Sequence, residues 1–181
     1  MTTKAIPNLS DLVALFFDEQ DELAAFQEAD PNSIPTEYRQ LLAHNHHMTV
    51  TVEQFFGSKV DVQVLDERFS GESYSRKIIL RRQDNSQVVQ FGIVRLNLNH
   101  LAPDVVTEIQ KKETPLGRIL IERNVLRVVE LSKVWRFQCG AEMAETFHAD
   151  IDATTFGRTA MIHCDGDPAI ELLEIITPNL R

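Results

Sequence analysis

The sequence predicts one α+β domain built on a six-stranded antiparallel sheet. Segments in which apolar and polar residues alternate at every second position indicate strands. Short turns such as Ser70-Gly71-Glu72 and Asp84-Asn85-Ser86 join these segments, and turns this short connect antiparallel neighbours. Segments with helical periodicity cluster at the start and in the middle of the chain instead of alternating with the strands. This distribution excludes a doubly wound parallel sheet.

The first part of the chain, from about residue 8 to 45, is predicted to be helical and acidic. Ser10 can cap a first helix, which the segment Asp30-Pro31-Asn32-Ser33 would end. The apolar face of that helix would consist of Leu12, Leu15, Phe16, Leu23 and Phe26. A second helix is predicted over 35–43 and a third over 48–56, where a glycine follows.

The remaining elements follow from the same signals. Predicted strands begin at Val60 and then cover 74–82, 88–98, 126–137, 155–164 and 169–177. Predicted helices cover 103–111, 115–122 and 141–148. Thr114 would cap the second of these, with Pro115 in its first turn. The length of 181 residues favours a single domain over 1–181.

The charge distribution argues against a nucleic-acid-binding protein. The net charge is −9, and residues 5–38 contain no Lys or Arg. No basic stripe of the kind that binds phosphates is present. Cys139 and Cys164 lack disulfide or metal spacing, which indicates reduced thiols and a cytoplasmic location. No apolar run approaches the roughly 18 residues that a membrane span needs.

Three histidines form the only tight cluster of potential metal ligands. The spacing of His44, His46 and His47 matches no structural zinc pattern. We therefore expect no metal, and we interpret the cluster as a polar helix end where cationic His complements the helix dipole.

Two charged residues interrupt otherwise apolar strands. Arg76 shares a strand face with Ile78 and Leu80, and Glu174 lies within Leu172-Leu173-Glu174-Ile175-Ile176. A buried charge needs a partner. Arg76 and Glu174 could pair with each other, or they could line one cavity and hold opposite ends of a small ligand.

These residues belong to a longer pattern that resembles the chorismate–pyruvate lyase family. The similarity is greatest to its divergent branch in cyanobacteria, archaea and mycobacteria, and it extends from about residue 40 to 178. The matching blocks are His47-Met48-Thr49, Glu53 with Gly57, Val60 to Leu65, Arg76 to Leu80, Thr114-Pro115-Leu116-Gly117-Arg118, Gly157-Arg158, and Asp165-Gly166-Asp167-Pro168 leading to Glu174 and Pro178.

The resemblance implies a fold and an activity. The fold would be a six-stranded antiparallel sheet with helices forming lids over a buried ligand cavity. The activity would be that of a chorismate lyase, which eliminates pyruvate from chorismate to give 4-hydroxybenzoate without metal or cofactor. Partners would be this substrate and product, with no nucleic acid and no membrane.

The resemblance also assigns roles to residues. Arg76 would grip the ring carboxylate, and Glu174 would lie near the opposite end of the ring as proton donor or hydroxyl-binding group. Backbone N–H groups of Met48 and Leu116 would help to bind the ligand. Further substrate-binding residues would be Thr114, Gly117 and Arg158. Because chorismate carries two carboxylates, Arg158 could supply a second cation, alone or together with Arg118.

One position is ambiguous within this pattern. The interval from Pro168 to Glu174 is one residue longer than in the enterobacterial enzyme, which leaves Glu171 as a rival. A β-bulge would reconcile the two alignments. Since residues three apart in a strand face opposite sides, we favour Glu174, whose neighbours on both sides are apolar.

An alternative function belongs to a different class. The domain could be a non-catalytic binder of small carboxylates, related to the sensor domains of a group of bacterial transcription regulators. Those domains follow a DNA-binding winged helix. Here the residues before about 45 are acidic and lack a basic recognition helix, so we do not expect a regulator.

Overall fold

The computed structural model describes residues 6–181 and shows a seven-stranded sheet in which all neighbours are antiparallel. The strands are β1 Ala24–Ala29, β2 Val60–Ser70, β3 Ser73–Arg82, β4 Val88–Asn97, β5 Arg127–Cys139, β6 Thr154–Cys164 and β7 Asp167–Ile176. Their order across the sheet is β1-β5-β6-β7-β4-β3-β2. Strand β7 is therefore central, and β1 and β2 are the two edges.

Seven α-helices accompany the sheet in the described part of the chain. They are α1 Leu9–Val13, α2 Gln20–Leu23, α3 Thr36–Leu42, α4 Met48–Phe56, α5 Pro103–Gln110, α6 Leu116–Glu122 and α7 Ala141–Phe147, with a 3-10 turn at Leu98–His100. Gly57 ends α4 in the left-handed conformation, as predicted. The predicted α+β class and the antiparallel sheet are confirmed.

The predicted strand count is wrong by one, because the first helix was drawn too long. Asn8, rather than Ser10, caps the short α1 by accepting a hydrogen bond from the Asp11 N–H. The segment Ala24–Ala29 then forms the edge strand β1, which pairs with β5 over Val134–Cys139. Leu23 and Phe26 have helical spacing, but long-range pairing with β5 decides the conformation there.

One face of the sheet carries the largest single apolar cluster, and α1, α2 and α7 cover it. Core residues from the helices include Leu12, Leu23 and Phe147, all at most 3% exposed. They pack against sheet residues of the same face, namely Ile79, Phe91, Ile93, Phe137, Leu173 and Ile175. The acidic N-terminal segment thus contributes its apolar residues to the core.

The opposite face is covered by α3, α4, α5 and α6, and two apolar clusters lie on it. One cluster includes Val105, Ile109 and Leu120, and the other includes Tyr38, Leu42 and Val52. Strand β7 illustrates the alternation, since Leu173 and Ile175 join the first core while Leu172, Glu174 and Ile176 face the second side. That these helices act as lids stays a prediction.

Both cysteines are buried and free of disulfides. They lie near opposite ends of β5, because Arg127 pairs with Cys164 while Cys139 ends the strand. Burial raises the pKa of each thiol to about 11. Among residues 6–181, no helix is both long and apolar enough to cross a membrane.

Candidate functional site

A small enclosed cavity lies on the second face of the sheet, between the two apolar clusters. Its volume is about 40 Å³. The sheet side is formed by residues of β3, β4, β6 and β7, including Arg76, Gln90, Gly92, Arg158 and Glu174. The opposite side is formed by the starts of two helices, at 47–49 and 115–117. Such a volume holds a few water molecules.

Arg76 is the cation at this cavity that lacks a carboxylate partner among the described residues. It is 1% exposed, and its Nη1 donates to the carbonyl of Ile109 at 3.2 Å, while its Nε has no hydrogen-bond partner. Burial lowers the pKa of Arg76, and the nearby Tyr74 and Glu67 partly oppose this effect. Tyr74 in turn donates to Glu67 at 2.9 Å.

Arg158 and Glu174 form an ion pair beside the cavity, so the predicted alternative of an Arg76–Glu174 pair is wrong. The two residues are direct cross-strand partners on β6 and β7, and Arg158 Nε donates to Glu174 Oε2 at 2.7 Å. Arg158 is fully buried, and Glu174 is 7% exposed. In this arrangement Glu174 Oε2 accepts a hydrogen bond from the guanidinium, and its role as proton donor or hydroxyl-binding group stays a prediction.

The other nitrogens of Arg158 are also occupied within the protein. Nη1 donates to the carbonyl of His44 at 2.8 Å, and Nη2 donates to the carbonyl of His46 at 2.9 Å. Arg158 therefore fixes the 44–46 segment above the sheet. Its predicted role as a second carboxylate-binding residue would require these hydrogen bonds to be exchanged, and it stays a prediction.

Glu174 lines the cavity and Glu171 does not. Glu171 accepts two hydrogen bonds from Arg95, at 2.5 Å and 2.9 Å, on the other side of the sheet. The register between β6 and β7 shifts where Ile162 pairs with Ile170 and His163 pairs with Pro168, which leaves Ala169 as an extra residue. The bulge that would reconcile the two alignments is thus present, and it lies before Glu171.

The starts of α4 and α6 meet at the cavity. Met48 and Leu116 are the first residues of these helices, and neither helix has a side-chain cap. The first N–H groups of a helix have no partner within it, so two sets of donors lie beside the cavity. A Cβ at Gly117 would lie 3.1 Å from His47 Cβ and from Thr49 Oγ1, so glycine permits the close approach.

The first and last residues of the Thr114–Arg118 block do not line the cavity. Thr114 is not among the residues that line the cavity, and Pro115 rather than Thr114 is the residue before α6. Arg118 donates to Glu53 of α4, whose other oxygen accepts from Lys59 at 2.8 Å. The block therefore joins α6 to α4 as well as lining the cavity.

Two of the three clustered histidines, His44 and His47, have lowered pKa values, which disfavours their interpretation as cations. Burial, with Arg158 as the next cause, lowers the pKa of His44 to about 4. Burial, with Arg127 as the next cause, lowers the pKa of His47 to about 4. Arg127 Nε donates to His47 Nε2 at 2.6 Å. Among residues 6–181, no group of three or more His, Cys, Asp or Glu is arranged to hold a metal ion.

Gln90 is a cavity residue that the sequence analysis missed. It is 3% exposed, lies on β4, and its Oε1 has no hydrogen-bond partner. The signal was available, because Gln90 interrupts the apolar run Val88-Val89-Gln90-Phe91 as Arg76 and Glu174 interrupt theirs.

His47 and Val129 separate the cavity from solvent. Both residues line the cavity, and both also line an open depression on the outer surface. The depression is further lined by polar residues of the 45–54 segment and by Arg127. These two residues are thus shared between the walls of the cavity and of the depression.

Comparison with known proteins gives likenesses in fold but none in sequence. No protein-family model matches the chain, and a search of curated proteins finds no match. The effector domain of PhnF from Mycobacterium smegmatis superposes with a TM-score of 0.54 at 12% identity, covering 73% of this chain and 88% of that domain. No chorismate lyase is among the structures that we compare here.

Two further solved structures agree with this result. A longer PhnF chain from the same organism superposes with a TM-score of 0.53 at 13% identity, covering 72% of this chain and 63% of that chain. The ligand-binding domain of a protein described as a GntR-family transcriptional regulator, from Bordetella bronchiseptica, gives 0.50 at 14% identity, covering 65% and 85%. The chain thus spans less than two thirds of the longer PhnF chain, and it shares its fold with the effector domain of PhnF and with this ligand-binding domain.

Proposed function

We propose that this domain binds a small organic carboxylate in the cavity, with the guanidinium of Arg76 holding the carboxylate. The observation that carries the proposal is the environment of Arg76. Its side chain is 1% exposed, has an unpartnered Nε and lies on the cavity wall. A buried charge without a counter-ion destabilises the fold. A ligand carboxylate would supply the counter-ion and accept the free N–H.

The helix starts add to the attraction for an anion. The first turns of α4 and α6 present N–H groups near Met48 and Leu116 beside the cavity. Partial positive charge at helix N-termini favours a negative ligand. The protein as a whole carries −9, so local positive groups such as these are needed to attract an anion.

The likeness in fold supports binding rather than chemistry. The neighbouring structures are described as an effector domain and as a ligand-binding domain. The cavity of about 40 Å³ is small for a ring-containing ligand, since ligand pockets commonly measure ~300–1000 Å³. We propose that a ligand enters past His47 and Val129 and widens the cavity as α4 and α6 move apart.

Calorimetry tests the proposal directly. Purified protein would be titrated with 4-hydroxybenzoate and with its neutral amide, 4-hydroxybenzamide. We expect the acid to bind and the amide to bind at least tenfold more weakly, because only the acid pairs with Arg76. Equal affinity for the two compounds would contradict the proposal, as would binding of the acid that is unchanged in Arg76→Ala.

A second candidate function is chorismate lyase activity, favoured by one specific observation. Four residues that the family resemblance assigns to the ligand, Arg76, Glu174, Met48 and Leu116, all line the same cavity. In such a reaction Arg76 would orient the ring carboxylate, and Glu174 would accept a hydrogen bond at the other end. Orientation in a dry cavity would then provide much of the catalysis, because loss of pyruvate aromatises the ring.

Product formation distinguishes the two functions. The protein would be incubated with chorismate, without added metal or cofactor, and 4-hydroxybenzoate and pyruvate would be measured by chromatography. Formation of both products, abolished in Arg76→Ala, supports the lyase. Binding of 4-hydroxybenzoate without turnover of chorismate supports the binding domain. Activity that EDTA removes and a divalent ion restores would contradict the prediction that no metal is needed.

A further inference from the structure

Two buried side-chain polar atoms of the described residues lack a hydrogen-bond partner, and both belong to residues that line this cavity. They are Nε of Arg76, a donor, and Oε1 of Gln90, an acceptor. Buried polar atoms in folded proteins nearly always have partners. The carboxylate proposed above accounts for Arg76, but it leaves Gln90 unexplained.

Strand register places Gln90 relative to the other two polar residues. On β4, Val94 pairs with Arg76, while Gly92 pairs with Glu174. Gln90 pairs with Leu80 on one side and Ile176 on the other. Residues two apart on a strand are about 6.8 Å apart. Measured along β4 from the position beside Arg76, Gln90 therefore lies about 6.8 Å beyond the position beside Glu174.

Gln90 and Glu174 can serve one ligand together. They lie on neighbouring strands and are diagonal cross-strand neighbours, a relation within reach of long side chains. Gly92 adds no side chain between them on this face. Glu174 Oε2 already accepts from Arg158, so Gln90 Oε1 is an additional acceptor at this end of the cavity.

Building on the proposed carboxylate site, we propose that Gln90 determines specificity by accepting a hydrogen bond from a second hydroxyl group of the ligand. The ligand class is then a ring carboxylate with two adjacent hydroxyl groups. Its carboxylate binds Arg76, the hydroxyl nearer the carboxylate donates to Glu174, and the farther hydroxyl donates to Gln90. A site with a buried acceptor discriminates against a ligand that lacks the matching donor, because the acceptor is left unpaired.

A ligand series on three proteins tests this role. Dissociation constants would be measured for benzoate, 3-hydroxybenzoate and 3,4-dihydroxybenzoate on the parent, on Gln90→Met and on Gln63→Met. Methionine has a similar length and no amide. Gln63 is an exposed glutamine on β2 that accepts from Arg81, so Gln63→Met controls for the same substitution outside the cavity.

The expected result is a preference that depends on Gln90 alone. The parent and Gln63→Met should bind 3,4-dihydroxybenzoate about tenfold more tightly than 3-hydroxybenzoate, a difference of about 1.4 kcal/mol. In Gln90→Met the ratio should fall to about one, while the affinity for 3-hydroxybenzoate changes by less than about twofold. On the unmodified protein, 3-hydroxy-4-methoxybenzoate should lose the tenfold gain, because a methoxy group cannot donate.

The outcomes separate this inference from the proposed function. If none of the carboxylates binds the parent, the proposed carboxylate site is wrong, and this inference is overturned with it. If they bind through Arg76 but the parent shows no preference for the second hydroxyl, only the role of Gln90 is overturned. A preference that survives in Gln90→Met, or that the methoxy compound retains, also overturns it.

Discussion

At the scale of residues, the cavity face of the sheet holds three buried charges that are unequally compensated. Arg158 and Glu174 neutralise each other across β6 and β7 at 2.7 Å. Arg76, by contrast, meets a carbonyl and a tyrosine rather than a carboxylate within the described chain. The pair therefore shapes the cavity, and Arg76 is the residue from which a ligand gains most.

Arg76→Ala should abolish carboxylate binding without unfolding the protein. Losing a charge-assisted contact costs about 1.5–3 kcal/mol, or about 10- to 150-fold in affinity. Removing an unpaired buried charge offsets the lost packing, so the free energy of unfolding should change by less than about 2 kcal/mol. Titration calorimetry and urea unfolding measure the two quantities. Arg76→Lys should also bind poorly, because an ammonium lacks the planar fork.

Glu174→Gln and Glu171→Gln should differ in both stability and binding. The first leaves the fully buried Arg158 without its counter-ion, which should lower the free energy of unfolding by about 3 kcal/mol. The second affects an ion pair whose side chains are 30% and 21% exposed, and it should cost about 1 kcal/mol or less. Only Glu174→Gln should change ligand affinity or turnover. Equal losses of stability and binding in both variants would show that the two pairs are equivalent.

Sequence reasoning found Arg76 and Glu174 because a charge within an apolar strand is conspicuous. One of its two alternatives paired Glu174 with the wrong residue, because cross-strand register between β6 and β7 depends on a bulge that local patterns do not reveal. It passed over Gln90, an uncharged residue in an equally apolar strand. A search for polar side chains within apolar strands would have identified all three residues. Their contacts with one another could be found only from the folded structure.

At the scale of elements, the junction of α4 and α6 determines the shape of the cavity. Gly117 lies against His47 and Thr49, and the Arg118–Glu53 pair joins the same two helices. The cavity contacts the first residues of these two helices and not the side chains farther along them. Small changes in helix separation should therefore affect the ligand before they affect the core.

Gly117→Ala should weaken ligand binding more than it weakens the fold. Its Cβ would lie 3.1 Å from His47 Cβ and Thr49 Oγ1, so the two helix starts must separate slightly. We expect about a tenfold loss of carboxylate affinity, with an unfolding free energy lower by about 1 kcal/mol. Calorimetry beside thermal unfolding checks both. A variant with parental affinity would mean that the helix starts do not position the ligand.

The histidine segment between α3 and α4 should make the protein sensitive to acid. The pKa values of His44 and His47 are about 4 in the folded protein, below the value of about 6.5 in an unfolded chain. The unfolded chain therefore binds protons first, so this stability is present above about pH 6.5 and is lost as the pH falls towards 4.

Urea unfolding between pH 4 and 7.5 measures that loss. His47→Asn should have a flatter dependence on pH than the parent. The control is His148→Asn, at an exposed position with φ of 52°, a conformation that asparagine tolerates. If His47→Asn and the control have the same pH profile, His47 is not a source of the acid sensitivity.

At the scale of the whole molecule, the acidic N-terminal segment belongs to the core rather than to a separate helical arm. Residues such as Leu12, Phe17 and Leu23 fill the face of the sheet that is opposite the cavity. Sequence patterns identified its apolar residues and its charge, but not β1, because a short edge strand is defined by its partner. The strands from Val60 onward, with tight turns between them, were predictable from local signals alone.

Deleting residues 1–30 should disrupt the protein although the cavity lies on the other face. The deletion removes α1, α2 and β1, and it exposes Phe137, Ile79 and Phe91, which are at most 2% exposed in the intact chain. We expect a loosely packed species that binds a hydrophobic dye and loses near-ultraviolet circular dichroism. A truncated protein with a cooperative, parental unfolding transition would show that the segment is dispensable.

The extra residue at Ala169 has a consequence for how chains of this fold can vary in length. Strand β7 accommodates that residue in a bulge near its start. The part of the strand after the bulge therefore determines that Glu171 and Glu174 face opposite sides of the sheet. A deletion of Ala169 would remove the bulge and leave Glu174 in place. A deletion of Leu172 would instead shift the part of β7 that precedes it by one residue. The side chains of that part would then face the opposite sides of the sheet. Insertions and deletions are thus tolerable before Glu171 and harmful a few residues later.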